Sequence, residues 1–216
     1  MHDATILVAG ASGQHAGVVY EAAMLRGIDV RGFAVLGGGE PSSVLGCNSL
    51  GKLEDIAVAA IRQGNKFVPA VGSNVLRNVI YNYLYKLGAS FRNIVHPNAI
   101  VSPSAIIEDG SVILAGAIVG TGAMIGRCAI INHGASVDHD CVLGEFVNLS
   151  PGARLAGSVR LGSRVAVGLN ASIIQGCHLE DDVVVGAGAV VTRDIACGVT
   201  VVGVPARPIP SAHKRK

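Results

Sequence analysis

Residues 94–147 read, in sixes, IVHPNA IVSPSA IIEDGS VILAGA IVGTGA MIGRCA IINHGA SVDHDC VLGEFV. From Val95 an aliphatic residue recurs at every sixth position, through Val101, Ile107 and Ile113 to Val185 and Val191, without a break. Two positions before each member from Val101 onward runs a second row, Ala99 and Ala105 to Val183 and Ala189, made only of small or β-branched residues. Side chains two apart share a face of a strand, whereas a helix needs spacings of three and four. The period of six therefore predicts short strands interrupted by turns and stacked as a parallel β-helix. Three such sides make a coil of about eighteen residues, hence about five coils. The small row suits the corners of this prism, where a large side chain would overfill the interior.

Composition agrees with many small, similar layers. Of 216 residues half are apolar, yet only 4% are aromatic, Trp is absent and Gly numbers 29. Lys plus Arg is 17 against 15 Asp plus Glu, and a formal charge of +2 makes no electrostatic case for nucleic acid or a membrane surface. Lys214, Arg215 and Lys216 read as a solvated tail. Five cysteines without paired spacing argue against a disulfide framework. No apolar run approaches the ~20 residues of a membrane helix, and no secretory signal precedes the first strand. A soluble, cytoplasmic protein is the expectation.

Ahead of the repeat, residues 4–9 read as a buried strand and Gly10, Ala11, Ser12, Gly13 as a glycine-rich turn. A helix is expected from Gly17 to Arg26 with Gly27 as its stop, then strands at Val30 to Leu36 and Phe67 to Val71, and a helix from Asn74 to Leu87 closed by Gly88. Alternating strands and helices point to a small parallel α/β unit that binds ligands at the carboxyl ends of its strands. Backbone N–H groups of the Gly10 to Gly17 turn could hold a phosphate. NAD binding is the rival, but the spacing is not G-x-G-x-x-G and no acid follows the second strand at Ala34 to Gly38.

The repeat resembles the left-handed β-helix of the hexapeptide acyltransferases. The whole chain resembles the NeuD/PglD type of sugar acetyltransferase, through Gly10 to Val19, the IVHPNAIVSPSA segment from Ile94, the INHGASVDHDCVLGEFV segment from Ile131 and VVGVPA from Val201. That resemblance implies a Rossmann-like nucleotide-sugar domain over residues 1–93 and a left-handed β-helix acetyltransferase domain over 94–216. It further implies a homotrimer, with acetyl-CoA and a nucleotide-linked amino sugar meeting between subunits.

Acetyl transfer to an amine needs a base for the departing proton and a donor for the oxyanion. His139 is the candidate base, at a corner of the prism with its side chain outside; Asp140 or Asp138 could orient it. Cys141 invites a thiol-nucleophile reading, but its inward register makes it a small core residue. The resemblance places Asn132, Asn148, Gly157, Leu169 and Ala187 at acetyl-CoA, with the Gly157 N–H as oxyanion donor. It places Gly10, Ser12, Gly13 and His15 at the substrate.

Three departures stand out: Gln14 interrupts the Gly-x-Gly-His turn, the acids after the second strand are missing, and Asn148 stands where relatives often carry His. No metal is expected, although His96, His133 and His139 follow an order loosely like that of the γ-class carbonic anhydrases, which share the prism. O-acetylation of a sugar such as sialic acid is the nearest alternative, and a non-catalytic trimeric scaffold the alternative from another class.

Overall fold

The computed structural model describes residues 4–10, 13–37 and 44–209. Its first part is a five-stranded sheet with helices on both faces. In chain order come β1 (Thr5–Ala9), α1 (Gln14–Leu25), β2 (Val30–Val35), β3 (Ser49–Lys52), α2 (Leu53–Arg62), β4 (Lys66–Ala70), α3 (Asn74–Lys86) and β5 (Ser90–Phe91). All pairings are parallel, in the order β3-β2-β1-β4-β5. The two helices expected from apolar spacing are there, although α1 starts three residues before Gly17. Gly27 and Gly88 stop α1 and α3 with φ of 72° and 82°, a left-handed turn that glycine adopts without a Cβ penalty. β3 and α2 lay in a stretch that the sequence reading left unassigned.

From Ile94 to Val191 the chain forms seventeen two-residue strands at six-residue intervals. They stack as three parallel sheets, each strand pairing with the one eighteen residues later: Ile118 with Ser136, Met124 with Val142, Ile130 with Asn148. The face carrying Ile94–Val95 is termed face 1, that of Ile100–Val101 face 2 and that of Ile106–Ile107 face 3. Six levels are present on face 2, one more than the count of about five. The aliphatic row supplies the second residue of each strand and the small row the residue before it, and both fill one continuous interior. The last level is tighter, with Ile195 beside Leu179. Beyond it Thr200–Val202 extends face 1 and pairs antiparallel with Arg207–Ile209.

The first residue of each strand points outward, and its burial records what covers it. On the open faces Ile100 and Ile106 stay exposed, at 65% and 56%. On face 1 Ile94, Val112 and Ile130 are buried, because the α/β unit sits there: they share a core with Leu7, Val19 and Phe33. Further along face 1 the outward residues become Asn148, Ala166 and the exposed Val184, where that cover ends. At the corner between faces 3 and 1, Phe146 plugs into the unit beside Tyr81, whose ring stacks on Phe91 at 4.3 Å. Among the described residues no helix is long and apolar enough to cross a membrane.

Candidate active site

The corner joining faces 2 and 3 carries Asp138, His139 and Asp140, between the strands Ser136–Val137 and Val142–Leu143. Val137 and Cys141 are buried in the prism interior, which leaves the intervening residues to project outward. The His139 ring is half exposed. Its Nδ1 lies 2.9 Å from Asp140 Oδ2, while Asp138 Oδ1 accepts from the His139 backbone N–H at 2.7 Å. The two carboxylates thus divide the work: Asp140 addresses the imidazole and Asp138 the turn. With Nδ1–H turned to Asp140, Nε2 is the nitrogen left to take a proton. The Asp140 hydrogen bond, with the nearby Asp138 charge, raises the His139 pKa above that of free imidazole.

Two glycines on neighbouring coils make room for this pair. One coil on, Gly157 lies directly beneath the ring: a Cβ there would stand 2.5 Å from Nε2 and 2.6 Å from Cε1. One coil back, Gly122 has φ of 69°, and a Cβ on it would stand 2.8 Å from Asp140 Oδ1. Asp140 itself has φ of 57°, a left-handed conformation that Asp tolerates better than most residues. Gly122 escaped the sequence reading, yet subtracting eighteen from 140 finds it. Gly157 is itself buried under the ring, and among the described residues its N–H makes no backbone hydrogen bond. Gly157→Ala should therefore displace the imidazole while the coils stay stacked. An activity loss of about a hundredfold with an unchanged circular-dichroism melt is expected; undiminished turnover would contradict the seating of the ring.

The other residues assigned from resemblance fall elsewhere on the chain. Asn132, the half-exposed Leu169 and Ala187 all lie on the corner between faces 1 and 2, one side of the prism away from His139. Asn132 Oδ1 is occupied by the His133 N–H at 2.9 Å. Asn148 is on face 1 against the α/β unit, its Nδ2 3.4 Å from Gly72 O and its buried Oδ1 without a partner among the described residues. Gly13 caps α1 with φ of 65°, and its N–H closes the turn onto Gly10 O at 3.0 Å. Ser12 lies outside the described residues.

His15, the second residue of α1, is largely buried. Desolvation, with Arg77 and His133 nearby, pushes its pKa down to about 4. Its ring is therefore neutral at pH 7, and its buried Nε2 has no partner among the described residues. One chain thus brings together His139, Asp140 and Gly157, but leaves the other four proposed coenzyme residues and the glycine turn on other surfaces. Cys141 is buried, its Sγ 3.2 Å from Ala156 O, and burial raises its pKa. Among the described residues no three His, Cys, Asp or Glu side chains gather as metal ligands.

Comparison with known proteins places this geometry. The family described as the hexapeptide repeat of succinyl-transferase matches residues 158–193. No curated protein sequence matches the chain. Among solved structures, a histidine-to-asparagine variant of perosamine N-acetyltransferase from Caulobacter crescentus, in complex with CoA and GDP-perosamine, is 34% identical with a TM-score of 0.90. The alignment covers 96% of this chain and 97% of that one. The acetyltransferase domain of PglB from Neisseria gonorrhoeae FA1090, in complex with acetyl coenzyme A, is 35% identical with a TM-score of 0.89, over 97% of this chain and 100% of that one. WeeI from Acinetobacter baumannii AYE is 26% identical with a TM-score of 0.82, over 95% and 100%. With an α/β unit leading into a left-handed parallel β-helix, and full-length similarity to such enzymes, the chain belongs to the NeuD/PglD-type, acetyl-CoA-dependent sugar acetyltransferases.

Proposed function

We propose that the protein transfers acetyl from acetyl-CoA to the amine of a nucleotide-linked amino sugar of the 4-amino-4,6-dideoxy type, with His139 as general base. The observation that carries this reading is the imidazole held at Nδ1 by Asp140 and seated on Gly157. The perosamine enzyme, crystallised with CoA and GDP-perosamine, supports the substrate class. The sugar nitrogen attacks the thioester carbonyl carbon and its proton passes to Nε2. The tetrahedral oxygen takes a hydrogen bond from the Gly157 N–H. Collapse breaks the C–S bond, and the thiolate recovers the proton from the imidazolium. Residues 1–93 hold the nucleotide through Gly10, Ser12, Gly13 and His15, and residues 94–216 hold the coenzyme through Asn132, Asn148, Gly157, Leu169 and Ala187.

A homotrimer completes this site. A six-residue side spans up to ~20 Å of extended chain, so the His139 corner reaches the Leu169 and Ala187 corner most directly on a neighbouring copy. Five free thiols and the acetyl-CoA requirement favour the cytoplasm, and the product suits polysaccharide biosynthesis.

Thiol release from acetyl-CoA, measured against UDP-, GDP- and dTDP-linked 4-amino sugars and sialic acid, tests the assignment. Turnover on an amino sugar is the expected result; turnover on hydroxyl acceptors alone would overturn N-acetylation. Asp140→Asn should cost about ten- to a hundredfold, less than loss of the ring itself, because Gly157 still seats the imidazole. The base must be neutral to act, and the Asp140 bond raises its pKa. The acid limb of kcat against pH should therefore move to lower pH in this variant, and a limb that stays put would remove Asp140 from the role.

A further inference from the structure

The carboxyl ends of β1, β2 and β4 lie along one edge, and the strand order reverses between β1 and β4. A nucleotide in such a crevice sets its phosphates on the turn after β1 and its ribose over the end of β2, where a carboxylate usually receives the hydroxyls. Ala9 pairs with Val35, so the Gly10 turn and the Leu36–Gly37 end of β2 leave adjacent strands, which lie about 5 Å apart where they pair. β2 runs out through Ala34, Val35, Leu36 and Gly37 and offers no acid of its own.

An acid stands there nonetheless. Glu54, the second residue of α2, accepts from the Gly37 N–H through Oε1 at 2.9 Å, across seventeen residues of chain. A carboxylate in the first turn of a helix ordinarily serves the N–H groups and dipole of its own helix. The α2 cap residue, Lys52, makes no side-chain capping bond, yet Glu54 reaches the strand tip. Its side chain stays exposed, and a carboxylate bonded once retains lone pairs for further donors.

We infer that Glu54 receives the ribose hydroxyls of the nucleotide-linked substrate, supplying from α2 the acid that β2 lacks. The inference rests on the nucleotide-sugar reading above. It has a consequence for substrate class: UDP- and GDP-linked sugars carry a 2′-hydroxyl for this carboxylate and dTDP-linked sugars do not, so ribonucleotides are preferred.

Titration calorimetry on the full-length protein tests this with GDP and UDP, each against its 2′-deoxy form. Glu54→Gln keeps the acceptor for Gly37 and removes the charge. The wild type should bind each ribonucleotide about tenfold more tightly than its deoxy form, and Glu54→Gln should bring the two level. Equal binding of both forms by the wild type, or undiminished discrimination by the variant, overturns the assignment. Thiol release by the wild type separates the two levels of argument. An active enzyme whose Gln variant still discriminates removes Glu54 alone, whereas a wild type inactive on every nucleotide amino sugar removes the underlying reading as well.

Discussion

His139→Ala is expected to lower kcat by about 10²–10⁴-fold, the usual contribution of a positioned general base. The amine must lose a proton as the C–N bond forms, and His139 is the base proposed for that task, its Nδ1 tied to Asp140 and its ring over Gly157. The half-exposed ring packs against a backbone surface and fills no cavity, so its removal leaves the prism interior intact. KM values for both substrates should move little, because the proposed assignment gives the coenzyme mainly to other residues and the nucleotide to the α/β unit. The variant should therefore separate chemistry from binding. Steady-state thiol release with both substrates varied decides it. A fall in kcat/KM caused by a raised KM, with kcat preserved, would make His139 a binding residue and require another base.

How much of this was legible in the sequence differs between the two halves for a physical reason. The prism repeats every eighteen residues, and each inward position must be aliphatic or small, so register, faces and corners follow from counting. His139 outside, Cys141 inside and Gly157 beneath the ring are all consequences of that period. The α/β unit has no such period. α2 presents Leu53, Ala57 and Ala60 to its core, too short and too alanine-rich a stripe to stand out, and it went unassigned. Glu54 was missed with it, because its bond to Gly37 joins residues with no local relation in sequence.

The division of labour between Asp138 and Asp140 was likewise open, since both flank His139; only the left-handed turn at Asp140 sets which carboxylate faces the ring. Face 1 held one more legible signal. Ile94, Val112 and Ile130 are apolar outward residues under the α/β unit, but Ile100 and Ile106 are equally apolar and exposed, so side-chain type alone does not say which face is covered.

One buried side chain that no sequence pattern marked bridges the two halves, and Arg77→Met should lower stability by about 3–5 kcal/mol. Arg77, on α3, is fully buried, and among the described residues no carboxylate is a hydrogen-bond partner of it. Its Nε donates to Cys128 O at 2.7 Å, Nη1 to Val71 O and Gly72 O, and Nη2 to Phe146 O at 2.7 Å and Asn74 Oδ1 at 2.9 Å. Burial lowers its pKa to about 10, which still leaves the guanidinium charged at neutral pH. One planar fork thus ties the loop before α3 to two successive coils of the prism.

Methionine fills much of the volume but leaves those carbonyls unpaired, each at a cost of about 1–3 kcal/mol. Arg77→Lys should recover only part of the loss, because a single ammonium cannot span acceptors on both halves. Urea unfolding of the variants followed by circular dichroism is the measurement. A lowered midpoint in Arg77→Met, with Arg77→Lys intermediate, is the expected order, and a midpoint equal to the wild type's would show that the α/β unit is held on the prism by its apolar contacts alone.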